Sequence, residues 1–219
     1  IAYTASTATD DAVNIKGFET QTTTAAITQN MLGLNANNTI ATFRVGAAGT
    51  TVLQNVAGLT TVTGSTAGNV TVGLKTNGTA DSLAVTVGDT TNSVGRAVGL
   101  NATQIETLTV NAVGGTGNTL TLGLTNAGDG VTAATDSTAT SLKSLTITGS
   151  KSLTVTGSGA DTALATVNAA DFTGATLSVT GTGSTTAMTV TATGAYDATI
   201  TTGTGADNIA GGSGNDVLS

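Results

Sequence analysis

Two aspartates near the end of the chain, Asp207 and Asp216, each sit sixth in a run of nine residues. The first run is T-G-T-G-A-D-N-I-A from Thr202 to Ala210, and the second is G-G-S-G-N-D-V-L-S from Gly211 to Ser219. Each run places glycines ahead of the acid (Gly203 and Gly205, then Gly212 and Gly214) and an aliphatic residue two places after it. Short carboxylates set among backbone carbonyls are how hard cations are commonly held. Glycine, free of a Cβ, lets the backbone take turns that aim those carbonyls at a loop centre. The chemistry implied is oxygen coordination of calcium, with these four glycines and two aspartates as the metal-site residues. The second run fits the pattern G-G-x-G-x-D-x-U-x at every fixed place, and the first departs only at Thr202. A weaker copy begins at Thr156, T-G-S-G-A-D-T-A, and adds Asp161 as a further metal candidate. It carries Ala163 where a larger aliphatic belongs, and a plain turn ahead of a strand explains it equally well. Asp129 in AGDG and Asp89 in VGDT read as Asx-turn residues that need no ion.

Other chemistries find little support. The chain has no histidine and no cysteine, which removes the usual nucleophile–base sets and zinc sites. Glu19 and Glu106 are its only glutamates. A glycosidase would need two carboxylates facing across a cleft, together with aromatic sugar platforms. With Tyr3 and Tyr196 as the only tyrosines and no tryptophan, these glutamates read as solvent-facing residues at the starts of coils. No catalytic residue and no organic cofactor is assigned, and the expectation is a protein that is not an enzyme. Net charge is −7 with a pI near 4.1, and the six basic residues are scattered, so nucleic acid is not an expected partner. No stretch approaches the roughly 20 apolar residues of a membrane span. Asn37, Asn69, Asn77 and Asn101 satisfy N-x-[ST], a match that arises easily in a threonine-rich chain, and no glycan is assigned.

The elements that must position the loops follow from composition and alternation. Aromatic residues are 2% of the chain and charged residues 9%, yet the hydrophobic fraction is 38%. Small aliphatics must therefore fill the interior, which suits a narrow core of thin layers. Apolar residues alternate with Thr or Ser in Val70-Val72-Leu74, Leu83-Val85-Val87, Leu108-Val110, Leu120-Leu122-Leu124, Leu177-Val179 and Met188-Val190, the period of a strand with one buried face. The octapeptide KSLTITGS from Lys143 recurs at once as KSLTVTGS from Lys151, reading as strand, turn, strand, turn. Helical signal is confined to Thr20–Leu34, where threonines argue against it, and to one turn after Asp161. Sandwiches and barrels want aromatic plugs and longer strands, whereas a solenoid needs only inward aliphatics and a recurring turn. The expected fold is all-β: a right-handed parallel β-helix or β-solenoid with short strands, Gly/Asn/Asp turns and about 20 residues per coil. Residues 1–201 form a Thr/Ala/Gly-rich solenoid with an internal division near 88–101, and 202–219 begin the nonapeptide repeats. Opening mid-pattern at Ile1 and closing on a nonapeptide, the chain reads as a piece of a longer polypeptide.

The nonapeptides resemble those of RTX (repeats-in-toxin) proteins. The wider sequence is similar to RTX-type surface-layer proteins of Gram-negative bacteria, on GFET (Gly17 to Thr20), QIETLTV (Gln104 to Val110), LKSLTITGSKSLTVTG (Leu142 to Gly157) and VNAADFTGATLSVTG (Val167 to Gly181). The resemblance implies a β-roll in which two nonapeptides make one coil, so that a calcium site joins a loop to the matching loop of the adjacent coil. Asp207 and Asp216 then share no ion, and each awaits a partner loop near 189–198 or beyond Ser219. It also implies type I secretion, calcium-triggered folding outside the cell, and a structural role by self-association into a lattice or filament, with a surface anchor such as a polysaccharide outside this stretch. Related repeats occur in adhesins and secreted hydrolases, so a spacer in a large secreted RTX protein and the calcium-binding tail of a hydrolase stand as alternatives.

Overall fold

The computed structural model describes residues 20–23, 25–30, 41–46, 48–56, 61–64, 67–102, 104–123, 142–157, 163–181 and 183–219. Among them the aliphatic–hydroxyl alternation becomes 18 short strands. The first ten are β1 Thr20–Thr23, β2 Thr28–Asn30, β3 Thr42–Val45, β4 Thr50–Val56, β5 Thr61–Gly64, β6 Gly68–Leu74, β7 Ser82–Val87, β8 Ala97–Asn101, β9 Thr107–Ala112 and β10 Asn118–Leu122. The rest are β11 Ser144–Gly149, β12 Leu153–Thr156, β13 Thr166–Asn168, β14 Thr176–Thr180, β15 Thr189–Ala192, β16 Asp197–Thr201, β17 Asn208–Gly211 and β18 Val217–Leu218. Odd-numbered strands form one nine-stranded sheet and even-numbered strands the other, each in unbroken order along the molecule. Every ladder is parallel. The chain therefore lays one strand in each sheet per coil, giving a parallel β-solenoid with no helix among the described residues. The weak helical signal of Thr20–Leu34, against which its threonines already argue, gives way to β1 and β2 over the described residues of that stretch. Its β-branched threonines fit a pleated surface better than a helical one.

Register explains why this sequence folds so. In the odd sheet Leu83, Leu108, Leu145, Val167 and Val190 stack as one inward column that ends on Ile209. In the even sheet Val98, Leu120, Val155, Val179, Ile200 and Leu218 form another. All but Ile209 and Leu218 are at most 3% exposed, and burying a Val or Leu contributes about 1.5–3 kcal/mol. One residue out of phase, Thr121, Thr156, Thr180 and Thr201 stack on the outer face. A slip by one residue would exchange these columns, so the two-residue period pins the register. The repeated octapeptide supplies β11 and β12, consecutive strands that land in opposite sheets.

Paired residues are as few as 18 apart (Thr199 and Val217) and as many as 37 (Thr107 and Ser144), with about 23 per turn. The expected 20 per coil describes only the tightest coils, because loops at either edge take up the difference. Both sheets run through 88–101 without a break, β8 pairing with β6 on one side and β10 on the other.

The interior is less apolar near β1 and β2. Gln21 and Gln29, both buried, face each other across the core and exchange side-chain amide hydrogen bonds of 2.7 and 3.4 Å. Thr51, in register with inward Val70, has no hydrogen-bond partner for its buried hydroxyl oxygen, an arrangement that costs about 1–3 kcal/mol.

Candidate cation-binding loops

The loop before β17 carries Asp207 and the loop before β18 carries Asp216. As β17 and β18 belong to different sheets, the two loops lie at opposite edges of the solenoid. Both acids are the last residue before a strand, where the following amides are committed to the ladder. Each carboxylate therefore turns to the preceding coil. Asp207 Oδ1 accepts a hydrogen bond from Met188 N at 2.8 Å, and Asp216 Oδ1 accepts one from Ala198 N at 3.0 Å. Charge-assisted bonds of this kind are roughly twice as strong as neutral ones. Among the described residues, the second oxygen of each carboxylate has neither a hydrogen bond nor an ion pair.

The glycines are needed for a reason different from the expected one. None of Gly203, Gly205, Gly212 and Gly214 is among the positive-φ residues of the chain. What they permit is close stacking of coils. A Cβ at Gly203 would fall on the Ser184 carbonyl oxygen, one at Gly205 on that of Thr186, one at Gly212 on that of Gly194 and one at Gly214 on that of Tyr196. The carbonyls so covered also accept from the coil above, Ser184 O from Thr204 N at 2.9 Å and Gly194 O from Ser213 N at 3.1 Å. Beneath Gly194 the space is filled by Tyr196, which packs edge-on against Phe172 at 4.9 Å and donates its hydroxyl to Ala169 O at 2.8 Å.

Calcium takes 6–8 oxygens, and the two loops differ in what they offer. Asp216 has a second carboxylate in the coil before it. Asp197 Oδ1 accepts from Asn215 N at 2.9 Å, so Asp197 holds the loop of Asp216 while Asp216 holds the start of β16, each through one oxygen. Asp197 falls within 189–198, where a partner loop is expected. The loop before β15, which faces Asp207, is 183–188; it carries Ser184, Thr185 and Thr186 and no acid. No group of three or more acidic side chains converges anywhere among the described residues. The loop of Asp216 thus meets a second carboxylate from the coil before it, and the loop of Asp207 meets none. Asp161, Asp129 and Glu19 lie outside the described residues.

Asp89 behaves as an Asx-turn residue. Its Oδ1 accepts from Thr91 N at 2.9 Å and Asn92 N at 3.3 Å, and its Oδ2 from Asn92 Nδ2 at 2.7 Å. Arg96 and Arg44 approach at 3.5 and 3.8 Å. The Asn92 side-chain bond, chiefly, holds the Asp89 carboxyl below its ordinary range against the opposing effect of burial. The Asn92 and Thr91 amides and the Arg44 charge add to this lowering.

Glu106 is not solvent-facing. It is 9% exposed, and its Oε2 accepts from Asp81 N in the preceding coil at 2.8 Å. It stands just before β9 as Asp207 stands just before β17, and Asn118 at the start of β10 reaches Arg96 N in the same way at 3.1 Å. An acid or amide directly ahead of a strand or at its first residue is therefore a recurring inter-coil clip. The signal lay in Ile105-Glu-Thr-Leu-Thr-Val and Ala206-Asp-Asn-Ile, once aligned on their strands. A shallow recess of about 400 Å³ lies on the even sheet against Asn69, Gly99 and Thr121, and no titratable group lines it.

No family model, curated protein or solved structure matches this chain.

Proposed function

We propose that this chain is a structural segment of an extracellular, calcium-dependent assembly of the surface-layer kind, working by self-association and not by chemistry. The observation that carries the reading is the arrangement at Asp197 and Asp216. Two carboxylates from adjacent coils clip these coils together through one oxygen each, Asp197 on the loop before β18 and Asp216 on the start of β16, leaving oxygens over at the coil edge. Calcium bound there would neutralise both acids and tie the coils together. Asp216, Asp197 and the backbone of Gly212–Asn215 are the groups that would hold it, and Asp207 would require oxygens from a further loop. Extracellular modules bind calcium with Kd around 10⁻⁴–10⁻³ M, so such a site fills outside a cell and empties within it. In its absence a chain of net charge −7 loses stability to self-repulsion.

The reading of self-association rests on the outer faces. Stacked Thr, Ser and Asn columns make the outer face of each sheet polar and weakly charged along its length, and weak contacts repeated along such a face add through multivalency. The test is to titrate calcium into the chain while following circular dichroism, then to image it by negative stain before and after chelation. Ordered sheets or filaments that need millimolar calcium support the proposal. A chain that folds with calcium yet stays monomeric at high concentration supports the spacer or enzyme-tail role instead.

A further inference from the structure

The loop between β6 and β7, residues 75–81, holds the only Asn-Gly pair in the sequence, Asn77-Gly78. Lys75 through Ala80 are all exposed. Asn77 makes no side-chain hydrogen bond among the described residues. Its neighbour is held in a specific way, for the Gly78 N–H donates to Asp81 Oδ2 at 2.6 Å. Asp81 is held in turn, because its own N–H is clipped by Glu106, and its carboxylate packs where a Cβ on Gly78 would reach, 3.1 Å from both oxygens. A backbone nitrogen whose proton already points at a carboxylate thus stands next to an unhindered, unpartnered carboxamide.

We propose that Asn77-Gly78 is a self-modification site, at which Asn77 rearranges through a cyclic imide with Asp81 as the group that receives the Gly78 amide proton. The Gly78 nitrogen bonds to Cγ of Asn77 as its proton passes to Asp81. The bond from Cγ to the side-chain nitrogen breaks, and ammonia leaves carrying a proton returned from Asp81 or from water. Water then adds to the five-membered ring at either carbonyl, leaving aspartate or isoaspartate at position 77, with no redox change. Glycine at 78 is needed twice, since it leaves the attacking nitrogen open and gives the Asp81 carboxylate its room. The edit falls in a loop and not in a ladder, so β6 and β7 keep their pairing. It places a new carboxylate in the loop of Asp81.

Asn92-Ser93 serves as an internal control. It is also exposed, but the Asn92 side-chain amide, the would-be leaving group, is tied to Asp89 Oδ2.

The experiment is to incubate the full 219-residue chain at mildly alkaline pH and follow positions 77 and 92 by peptide mass spectrometry with an isoaspartate-specific digest. Circular dichroism checks that Asp81→Asn and Gly78→Ala variants remain folded. The expected result is steady conversion at 77, none at 92, and a several-fold slower rate in Asp81→Asn, which keeps an acceptor for the Gly78 N–H but is no longer a base. Gly78→Ala should slow conversion further. The proposal is overturned if Asn77 stays intact in the folded chain while the urea-unfolded chain converts. It is equally overturned if Asp81→Asn converts as fast as the parent.

Discussion

Asp89 and Asp216 stand at the same edge of the solenoid, each in a loop that carries the chain from the odd sheet to the even one, and each with a glycine one or two residues before it. Their carboxylates are committed in opposite ways. Asp89 is followed by Thr90-Thr-Asn-Ser, residues outside any strand, whose free amides fold back onto it. Asp216 is followed at once by β18, whose amides belong to the ladder, so it reaches the coil before it. Asp89 keeps no unshared oxygen and is met by two arginines, whereas Asp216 keeps one and is met by a second acid's loop. An aspartate in a glycine-rich turn is thus not in itself a cation ligand. Whether an oxygen is left unshared depends on whether its own next residues are free to bind it.

The largest effect should come from the glycines that let the terminal loops lie on the coil beneath. Ala at Gly203 or Gly212 drives a methyl into a backbone carbonyl that no side-chain rotation relieves, and such overpacking costs about 1–3 kcal/mol, occasionally more. Ala at Gly117 offers the contrast, with nothing within 4 Å of the new Cβ and a φ of +80°. It should cost only the left-handed strain, about 1 kcal/mol. Urea melts of the three variants test the ranking. A Gly117 variant as damaging as the other two would remove close stacking as the reason for the nonapeptide glycines.

Next is the response to calcium. With Kd in the range of extracellular modules, about 10 mM calcium should raise stability by roughly 1.4–2.7 kcal/mol per site. Replacing Asp197 and Asp216 together with Asn should abolish most of that increment, and Asp89→Asn should leave it whole. Thermal melts with and without calcium measure all three. An increment that survives the double replacement would move the site elsewhere.

A smaller effect separates Asp89 by acid. Its folded pKa lies below the ordinary value of 3.8. The stability it contributes is therefore complete above about 3.8 and is lost as pH falls through the lowered folded value. Asp89→Asn should flatten the lower end of the Tm-against-pH curve in that window and leave it parallel to the parent's at neutral pH. An unchanged acid limb would mean that its bonds to Thr91 and Asn92 do not survive in solution.

Much of this was legible in the sequence. Alternation of Val, Leu and Ile with Thr placed the strands and their buried faces because a period of two admits no other assignment. The shortage of aromatics pointed to thin stacked layers, and Phe172 with Tyr196 fills just one edge. The purpose of the nonapeptide glycines was not legible, since it depends on carbonyls at 184, 186, 194 and 196, and sequence does not say which coil lies beneath which. The same holds for Glu106. Its partner is Asp81 N, 25 residues earlier, a distance that no fixed repeat of about 20 would bring into register.

The finest distinction concerns Asp207, where a hydrogen-bonding role and a cation role can be told apart. Its Oδ1 bonds the Met188 amide, and an asparagine keeps an oxygen in that place while giving up the charge. Without calcium, Asp207→Asn, which trades a charge-assisted bond for a neutral one, should therefore cost about 0.5 kcal/mol, while Asp207→Ala, which leaves the Met188 N–H without its acceptor, should cost about 1.5 kcal/mol. Because the facing loop 183–188 contains no acid, adding calcium should widen neither gap in this chain. In a longer chain carrying a further nonapeptide coil with its own aspartate above Asp207, calcium should separate Asn from Asp at 207 by the increment of a filled site. If calcium separates them already in the 219-residue chain, one carboxylate and local carbonyls suffice for binding, and the contrast drawn between the two terminal loops fails.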